Sequence, residues 1–314
     1  MNNKKTYRIL IIVLMIIGLL CAVWVGTYMY QRFTEKAALE QLQEEVKVET
    51  TETPVSAEGE GAGRGSQTAE SSTAPSGQEE TEIFAEPYVD FTQLQQRNSE
   101  IYGWIVIPDT RVDYPIVQRE GSDQGYYLDH DIDGNYSVSG SIYTENLNKK
   151  DFTDPNTLIY GHNMRNGTMF QDLHKLQDEE FFNLHPEFYI YTPEKKFTYE
   201  IFSAYEYDNR HILRSFDFSD REEYARYLES ALNPRSVNKM TREGVEVTPD
   251  DRIVTLSTCI GKDTSRYLVQ GVLIKEETVA SSFDRNAFES EDSADREDSA
   301  GESPEDLSSE ETLN

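Results

Sequence analysis

The feature that most constrains this chain is an uncharged apolar segment near its N-terminus, which runs from Ile9 to Tyr30. A helix needs about 20 consecutive apolar residues to cross the hydrocarbon core of a bilayer. Lys4, Lys5 and Arg8 precede the segment, and positive charge keeps a flanking segment in the cytoplasm. A cleaved signal peptide would have a shorter apolar region that ends at small residues. The sequence therefore predicts an uncleaved single-pass anchor in the cell membrane, with the rest of the chain outside the cell.

Composition divides the remainder of the chain into one domain and two acidic flanking segments, within a net charge of −29. Residues 34–86 are rich in Glu, Ser, Thr, Gly and Ala, and residues 280–314 are an acidic low-complexity tail. Such segments bury too little apolar surface to fold. We predict an anchor at 1–33, a disordered linker at 34–86, a folded domain at 87–279 and a disordered tail at 280–314. The stretch TEKAALEQLQEEV at the start of the linker predicts a short helix leaving the membrane.

Charge and missing motifs exclude several function classes. Nucleic-acid binding needs clustered Lys and Arg to neutralise phosphates, and the domain is acidic instead. The sequence has no Gly-rich phosphate loop, no CxxC pair and no HExxH motif, so we expect no cofactor and no metal. His130, Asp131 and Asp133 lie close together in sequence, but a solvated turn explains them better than a metal site.

The pattern of the domain predicts mainly β-structure. TRVDYPIVQ, SGSIYTE and NTLIYGHN are β-branched and apolar stretches separated by polar turns, and EFYIYTPEKKFTYEIFSAYEY has the pattern of a hairpin. Helical spacing occurs in residues 91–101, in residues 169–185 and in SDREEYARYLESALN, where Ser219 and Glu222 have the spacing of a capping box. Many strands with a few inserted helices predict an antiparallel barrel or sandwich with helical additions.

Two cysteines are present, Cys21 in the apolar segment and Cys259 in the domain. A lone cysteine in an exported domain is either buried and inert or kept for reactivity. Cys259 ends a predicted strand, His162 follows another, and Arg266 begins a third. A thiolate nucleophile, an imidazole acid and base, and a guanidinium for a developing oxyanion are the residue types that acyl transfer requires. These three residues are therefore candidate catalytic residues, whereas His174 and His185 are predicted at the surface.

The motifs around these residues are similar to those of a known family. YGHNM around His162, TLSTC ending at Cys259 and SRYLVQG containing Arg266 resemble the sortases of Gram-positive bacteria. YPIVQ, YYLDHDIDG, GSIYTENLN and NTLIYGHNMRNGTMFQDL resemble the class B branch, over about residues 91–275. The resemblance implies an eight-stranded sortase-type β-barrel. It also implies Cys259 as nucleophile, His162 as general acid and base, and Arg266 as the residue that stabilises the oxyanion.

The resemblance further implies a substrate and its partners. Sortases cleave a C-terminal sorting signal of another exported protein after its Thr and hold the product as a thioacyl-enzyme. They pass the acyl group to an amine, usually of a peptidoglycan precursor and sometimes of a pilin lysine. Tyr160 and Ser257 flank the catalytic motifs and are expected to line the substrate groove. The segment IGKDTS between Cys259 and Arg266 is shorter than class B members usually have.

Three alternatives remain open. A papain-like hydrolase has its cysteine before its histidine in the chain, which is the reverse of the order here. A pilus-polymerising sortase typically has a lid with an Asp-Pro-aromatic motif, whereas Asp154 and Pro155 are followed by Asn156. A catalytically idle surface-binding module on the same barrel would have no use for the three candidate catalytic residues together.

Overall fold

The computed structural model describes residues 3–48, 84–85, 87–260 and 264–279. These residues form ten β-strands, five α-helices and two 3-10 helices, which are Tyr126–Leu128 and Phe170–Gln177. The α-helices are α1 (Asn3–Val46), α2 (Phe91–Arg97), α3 (Glu179–Leu184), α4 (Ile212–Ser215) and α5 (Arg221–Leu232). The strands are β1 (Phe84–Ala85), β2 (Ile101–Val106), β3 (Asp113–Gln118), β4 (Ile142–Thr144), β5 (Asn156–Tyr160), β6 (Glu187–Tyr191), β7 (Lys195–Asp208), β8 (Lys239–Thr241), β9 (Ile253–Cys259) and β10 (Ser265–Val279).

Eight of the strands close into a barrel. They are hydrogen-bonded in the order β10, β9, β5, β4, β3, β2, β6 and β7, and β7 pairs back onto β10. β1 and β8 add short outer strands to β10 and β7. This confirms the predicted eight-stranded barrel with added helices. Most pairs are antiparallel, but β5 runs parallel to β9, so the C-terminal ends of these two strands lie at the same edge of the sheet.

The barrel interior is filled by large apolar side chains. Because strand side chains alternate between the two faces of a sheet, each of the eight barrel strands contributes residues to the interior. Ring stacking between Phe188 and Tyr199, with centroids 5.1 Å apart, links β6 to β7. The 3-10 helix Phe170–Gln177 contributes to this core, and its Phe170, Leu173 and Leu176 are fully buried. This helix therefore lies against the same core as the strands.

The N-terminal part of α1 contains the apolar segment, and its C-terminal end packs on the barrel. Its Leu10–Tyr30 segment has a mean hydropathy of 2.8 and is long enough to cross a membrane. Leu42 and Val46 are buried with Trp104 in one apolar cluster, and Lys47 forms an ion pair with Asp113. The helix predicted from TEKAALEQLQEEV is thus present, and the predicted disordered linker does not begin at residue 34. The linker from residue 49 to 83 and the tail from residue 280 lie outside the described residues.

Three predicted elements differ in detail from the structure. The helix predicted over 91–101 ends at Arg97, and the next residues enter strand β2, whose side chains are nearly all buried. The helix predicted over 169–185 is divided at Asp178, whose carboxylate caps α3. Asp220, not Ser219, caps α5 by accepting hydrogen bonds from the backbone N–H groups of Glu222 and Glu223. The first two differences arise because a polar cap ends a helix within a longer apolar pattern, and the third because Asp220 caps α5 one residue later than predicted.

Gly161, directly after β5, is a position where packing leaves no space for a side chain. A Cβ atom there would lie 2.5 Å from Ile142 Cδ1 and 2.7 Å from ring atoms of Phe170. We expect Gly161→Ala to lower the free energy of unfolding by about 1–3 kcal/mol, as overpacked cores do. Urea denaturation of the full-length protein in detergent measures this. Gly125→Ala, where no atom lies within 4 Å of the added Cβ, is the control, and equal midpoints for the two variants would contradict the expectation.

Candidate active site

The topology brings the three candidate catalytic residues to one edge of the barrel. In the parallel pair of β5 and β9, Tyr160 lies opposite Ser257, and Gly161 N donates to Ser257 O at 3.1 Å. The pairing ends there, and His162 lies two residues beyond Tyr160 just as Cys259 lies two residues beyond Ser257. In the antiparallel pair of β9 and β10, Arg266 lies directly opposite Cys259. Cys259 therefore has Arg266 opposite it on β10, and the segment that contains His162 directly follows β5 on the other side of β9.

Cys259 ends β9 with its side chain partly exposed and free of any disulfide. Its main-chain carbonyl accepts a hydrogen bond from Asn163 Nδ2 at 2.8 Å, and His174 Nε2 lies 3.2 Å from the same oxygen. The residue is thus held through its main-chain carbonyl, and its side chain is partly accessible. This is the environment of an accessible thiol on a fixed main chain.

His162 is fixed by contacts at both its ring and its backbone. Its Nε2 lies 2.7 Å from the carbonyl oxygen of Leu128, and its own carbonyl accepts from Phe170 N at 2.9 Å. A carbonyl oxygen is only an acceptor, so Nε2 carries a proton in this contact. In the neutral ring, Nδ1 is then the atom with a lone pair. The Leu128 carbonyl therefore selects the tautomer in which Nδ1 can accept a proton.

Arg266 opens onto a cavity of about 130 Å³ at the end of the barrel. Its guanidinium Nη1 donates to Ser265 O at 3.2 Å, and the side chain is partly buried. Tyr160 and Ser257, the residues expected in a substrate groove, line this cavity together with Arg266. The cavity is also lined by Glu145, Tyr207 and His211, among other residues.

Two tyrosines beside the cavity are uncharged at neutral pH. Tyr143 and Tyr160 stack with ring centroids 5.3 Å apart. Burial raises the pKa of both phenols above the ordinary value, and the nearby Glu145 carboxylate raises it further. The Arg266 guanidinium lowers the pKa of both phenols, but this effect is smaller than that of burial. Both hydroxyls therefore stay protonated at neutral pH.

Sequence reasoning missed two histidines near the site. His174, predicted at the surface, is half-buried and stacks on Tyr267 with centroids 4.8 Å apart. His211, in the loop before α4, places its Nε2 2.6 Å from a Glu145 carboxylate oxygen. His185 is also largely buried, bonded to Asp109. Sequence spacing carries no signal for these positions, because each depends on packing against an element far along the chain.

The residues considered as metal ligands are engaged elsewhere. His130 bonds to the Asp129 carboxylate and stacks on Tyr126, and Asp133 forms an ion pair with Arg97. Among the residues that the structure describes, no group of three or more His, Cys, Asp or Glu side chains is arranged to hold a metal ion.

Asp172 links two segments: the 3-10 helix that contains His174, and the residues before β3. Its carboxylate, almost fully buried, accepts hydrogen bonds from the backbone N, Nε and Nη2 of Arg111. Burial opposes ionisation of this carboxyl, but the hydrogen bonds from Arg111 and Lys175 outweigh it and hold the pKa of Asp172 below its ordinary value.

We expect Asp172→Asn to lower the free energy of unfolding by about 1–3 kcal/mol at neutral pH, because it removes charge-assisted hydrogen bonds. A depressed pKa contributes stability above the ordinary value of 3.8, and this contribution is lost as the pH falls below it. Urea denaturation at a series of pH values should therefore show the two proteins converging in acid. Asp250→Asn removes the exposed partner of Arg221 and is the control. A difference for Asp172→Asn that persists undiminished in strong acid would contradict the expectation.

Comparison with known proteins places this fold and site in a family. A family profile described as "Sortase domain" matches residues 105–274. Sortase B of Listeria monocytogenes serovar 1/2a is 34% identical over 197 residues, which cover 62% of this chain and 78% of that protein. The crystal structure of Clostridium perfringens sortase B superposes with a TM-score of 0.53 at 33% identity, covering 59% of this chain and 100% of that one.

A structure described as a Staphylococcus aureus sortase B–substrate complex superposes with a TM-score of 0.53 at 30% identity, covering 59% of this chain and 84% of that one. The family match extends over more than half of the chain, from within β2 to within β10, and includes the three candidate catalytic residues. The chain therefore belongs to the sortase family, in its class B branch, and is a cysteine transpeptidase of the kind that anchors proteins to the cell wall.

Proposed function

We propose that the protein cleaves a C-terminal sorting signal of exported proteins after its Thr and forms a thioacyl-enzyme on Cys259. The Cys259 thiolate attacks the carbonyl carbon of the Thr, and the carbonyl π electrons move onto its oxygen. Arg266 stabilises this oxyanion electrostatically. The tetrahedral intermediate collapses, the peptide C–N bond breaks, and His162 donates a proton to the departing amine.

The second half-reaction transfers the acyl group to an amine of the cell wall. The amine nitrogen attacks the thioester carbonyl, and His162 accepts the proton that the amine loses. Collapse of the second tetrahedral intermediate breaks the C–S bond and releases the Cys259 thiolate. The tautomer selected by the Leu128 carbonyl suits this role, because it leaves Nδ1 able to take up and return a proton.

Tyr160 and Ser257 are proposed to line the groove for the signal peptide. They lie opposite each other on β5 and β9 and share the cavity with Arg266.

The proposed orientation is an extracellular domain on a single-pass anchor. Lys4, Lys5 and Arg8 before the apolar segment favour a cytoplasmic N-terminus.

The observation that carries the proposal is the register that places Arg266 directly opposite Cys259 on neighbouring strands. A pilus-polymerising activity receives less support from the structure. Pro155 lies at the entry to β5, where its carbonyl accepts hydrogen bonds from Tyr224 OH and Ile253 N. Asp154 and Pro155 are therefore part of the barrel framework at this position.

The test is incubation of the full-length protein, in detergent, with NPxTN-like, LPxTG-like and SPxTG-like peptides, with and without an added amine. Intact-protein mass spectrometry detects an acyl adduct, and peptide mapping locates it. An adduct on Cys259 with one peptide type, discharged by the amine, supports the proposal and identifies the signal. A folded protein whose Cys259 reacts with iodoacetamide but forms no adduct with any of the three peptides would contradict the proposed signal recognition.

A further inference from the structure

The main-chain carbonyl of Cys259 is bound by two side chains that have no part in the chemistry described above. Asn163 follows β5, and His174 lies in the 3-10 helix Phe170–Gln177. Their nitrogen atoms Nδ2 and Nε2 lie 2.8 and 3.2 Å from the Cys259 carbonyl oxygen. This carbonyl begins the connection from Cys259 to Arg266, so two donors hold the main chain at the point where β9 ends.

A third side chain sets the protonation of His174. Gln177 Nε2 lies 3.0 Å from His174 Nδ1, and an amide N–H can only donate there, so Nδ1 is the acceptor. Burial lowers the pKa of His174 below its ordinary value, although its hydrogen bond to Cys259 acts in the opposite direction. The neutral ring then carries its proton on Nε2, which is the atom that faces the Cys259 carbonyl.

The same geometry explains a short distance between two donors. Asn163 Nδ2 and His174 Nε2 lie 3.0 Å apart. Both atoms carry protons in this arrangement, so they do not bond to each other. They converge on one carbonyl oxygen, which has two lone pairs.

The ring of His174 also contacts the strand that carries Arg266. It stacks on Tyr267 with centroids 4.8 Å apart, and Tyr267 is fully buried and pairs with Thr258 in the β9–β10 register. The His174 imidazole therefore contacts both Cys259, where β9 ends, and Tyr267, the residue directly after Arg266.

We propose that Asn163 and His174 are positioning residues that fix the Cys259 main chain and thereby align its thiol with Arg266. The inference rests on the proposed function, in which Cys259 is the nucleophile. Asn163 and His174 bind the carbonyl and leave the thiol free, so their loss disturbs alignment for acyl transfer more than thiol reactivity. Misplacement of a reacting group by about 1 Å can reduce a rate about 100-fold.

The test compares variants of the full-length protein in detergent, using whichever of the three peptide types the unaltered protein turns over fastest. Asn163→Ala and His174→Ala are expected to reduce kcat about 10- to 100-fold with little change in KM. The rate of alkylation of Cys259 by iodoacetamide is expected to change much less. Asn163→Asp keeps the shape but replaces the donor with an acceptor, so it is expected to be as damaging as alanine. His174→Gln retains a donor and is expected to restore most of the activity.

His185→Ala is the matched control, because His185 is also a largely buried histidine stacked on an aromatic ring, that of Phe181, but bonds to Asp109. Protein labelled with ¹³C at its cysteine carbonyls gives a readout that needs no peptide, since loss of a donor shifts the Cys259 resonance. An unshifted resonance in both alanine variants, or full kcat in folded Asn163→Asp, would overturn the inference. Turnover by Cys259→Ala would instead overturn the proposed function itself.

Discussion

Cys259→Ala is expected to abolish transpeptidation, with turnover of a sorting-signal peptide reduced by on the order of 10⁴-fold or more. The variant lacks the atom that forms the thioacyl bond, and the remaining groups at the edge of the barrel supply only binding and electrostatic stabilisation. The fold is expected to persist, because the Cys259 side chain is partly exposed and contributes little buried surface. Peptide turnover and intact-protein mass spectrometry on the same samples measure the loss of rate and of the adduct.

The chain provides a matched control for this experiment. Cys21 is the other cysteine and lies in the apolar segment of α1, so Cys21→Ala is expected to retain normal turnover and the adduct. If Cys259→Ala still formed an acyl adduct, the nucleophile would have to be another residue. Loss of activity in Cys21→Ala but not in Cys259→Ala would reverse the assignment of the two thiols.

Arg266→Ala is expected to reduce kcat about 10²- to 10³-fold, the range found when one oxyanion-stabilising donor is removed. Arg266 lies opposite Cys259 in the β9–β10 register, so we expect the guanidinium to act close to the carbon that the thiolate attacks. Arg266→Lys keeps the charge but loses the planar, multiply donating head group, and an intermediate rate is expected. Steady-state kinetics with the cleaved peptide, at saturating concentration, separate the effect on kcat from that on KM.

Arg221→Ala is the control for the loss of a positive charge, since Arg221 is exposed on α5 and pairs with Asp250. It is expected to leave kcat unchanged. If Arg266→Ala raised KM with kcat unaffected, Arg266 would act in substrate binding and not on the transition state. A folded Arg266→Ala protein with normal kcat and KM would remove this residue from the mechanism.

Local sequence patterns were sufficient to predict those helices and strands whose characteristic residue pattern lies within a short stretch of sequence. The uncharged segment ending at Tyr30 predicts a membrane-spanning length, and α1 contains it. The hairpin of β6 and β7 follows from strand patterns on either side of a polar turn. The limits of α2 and the cap of α5 were less predictable. Several polar residues can cap a helix, and which one does so depends on the surrounding backbone.

The sequence by itself determined that the chain has one membrane-length helix, one domain built mainly of strands, and a single thiol in that domain. It also identified Cys259, His162 and Arg266 as residues suited to acyl transfer. Only the tertiary structure decided that Arg266 lies opposite Cys259, because this depends on the antiparallel register of β9 and β10. The contact between Asn163 and Cys259 joins residues 96 positions apart, and that of His174 depends on how a 3-10 helix packs on the barrel. Such contacts are set by packing between segments that are distant in sequence. The local periodicity of the sequence contains no information about them.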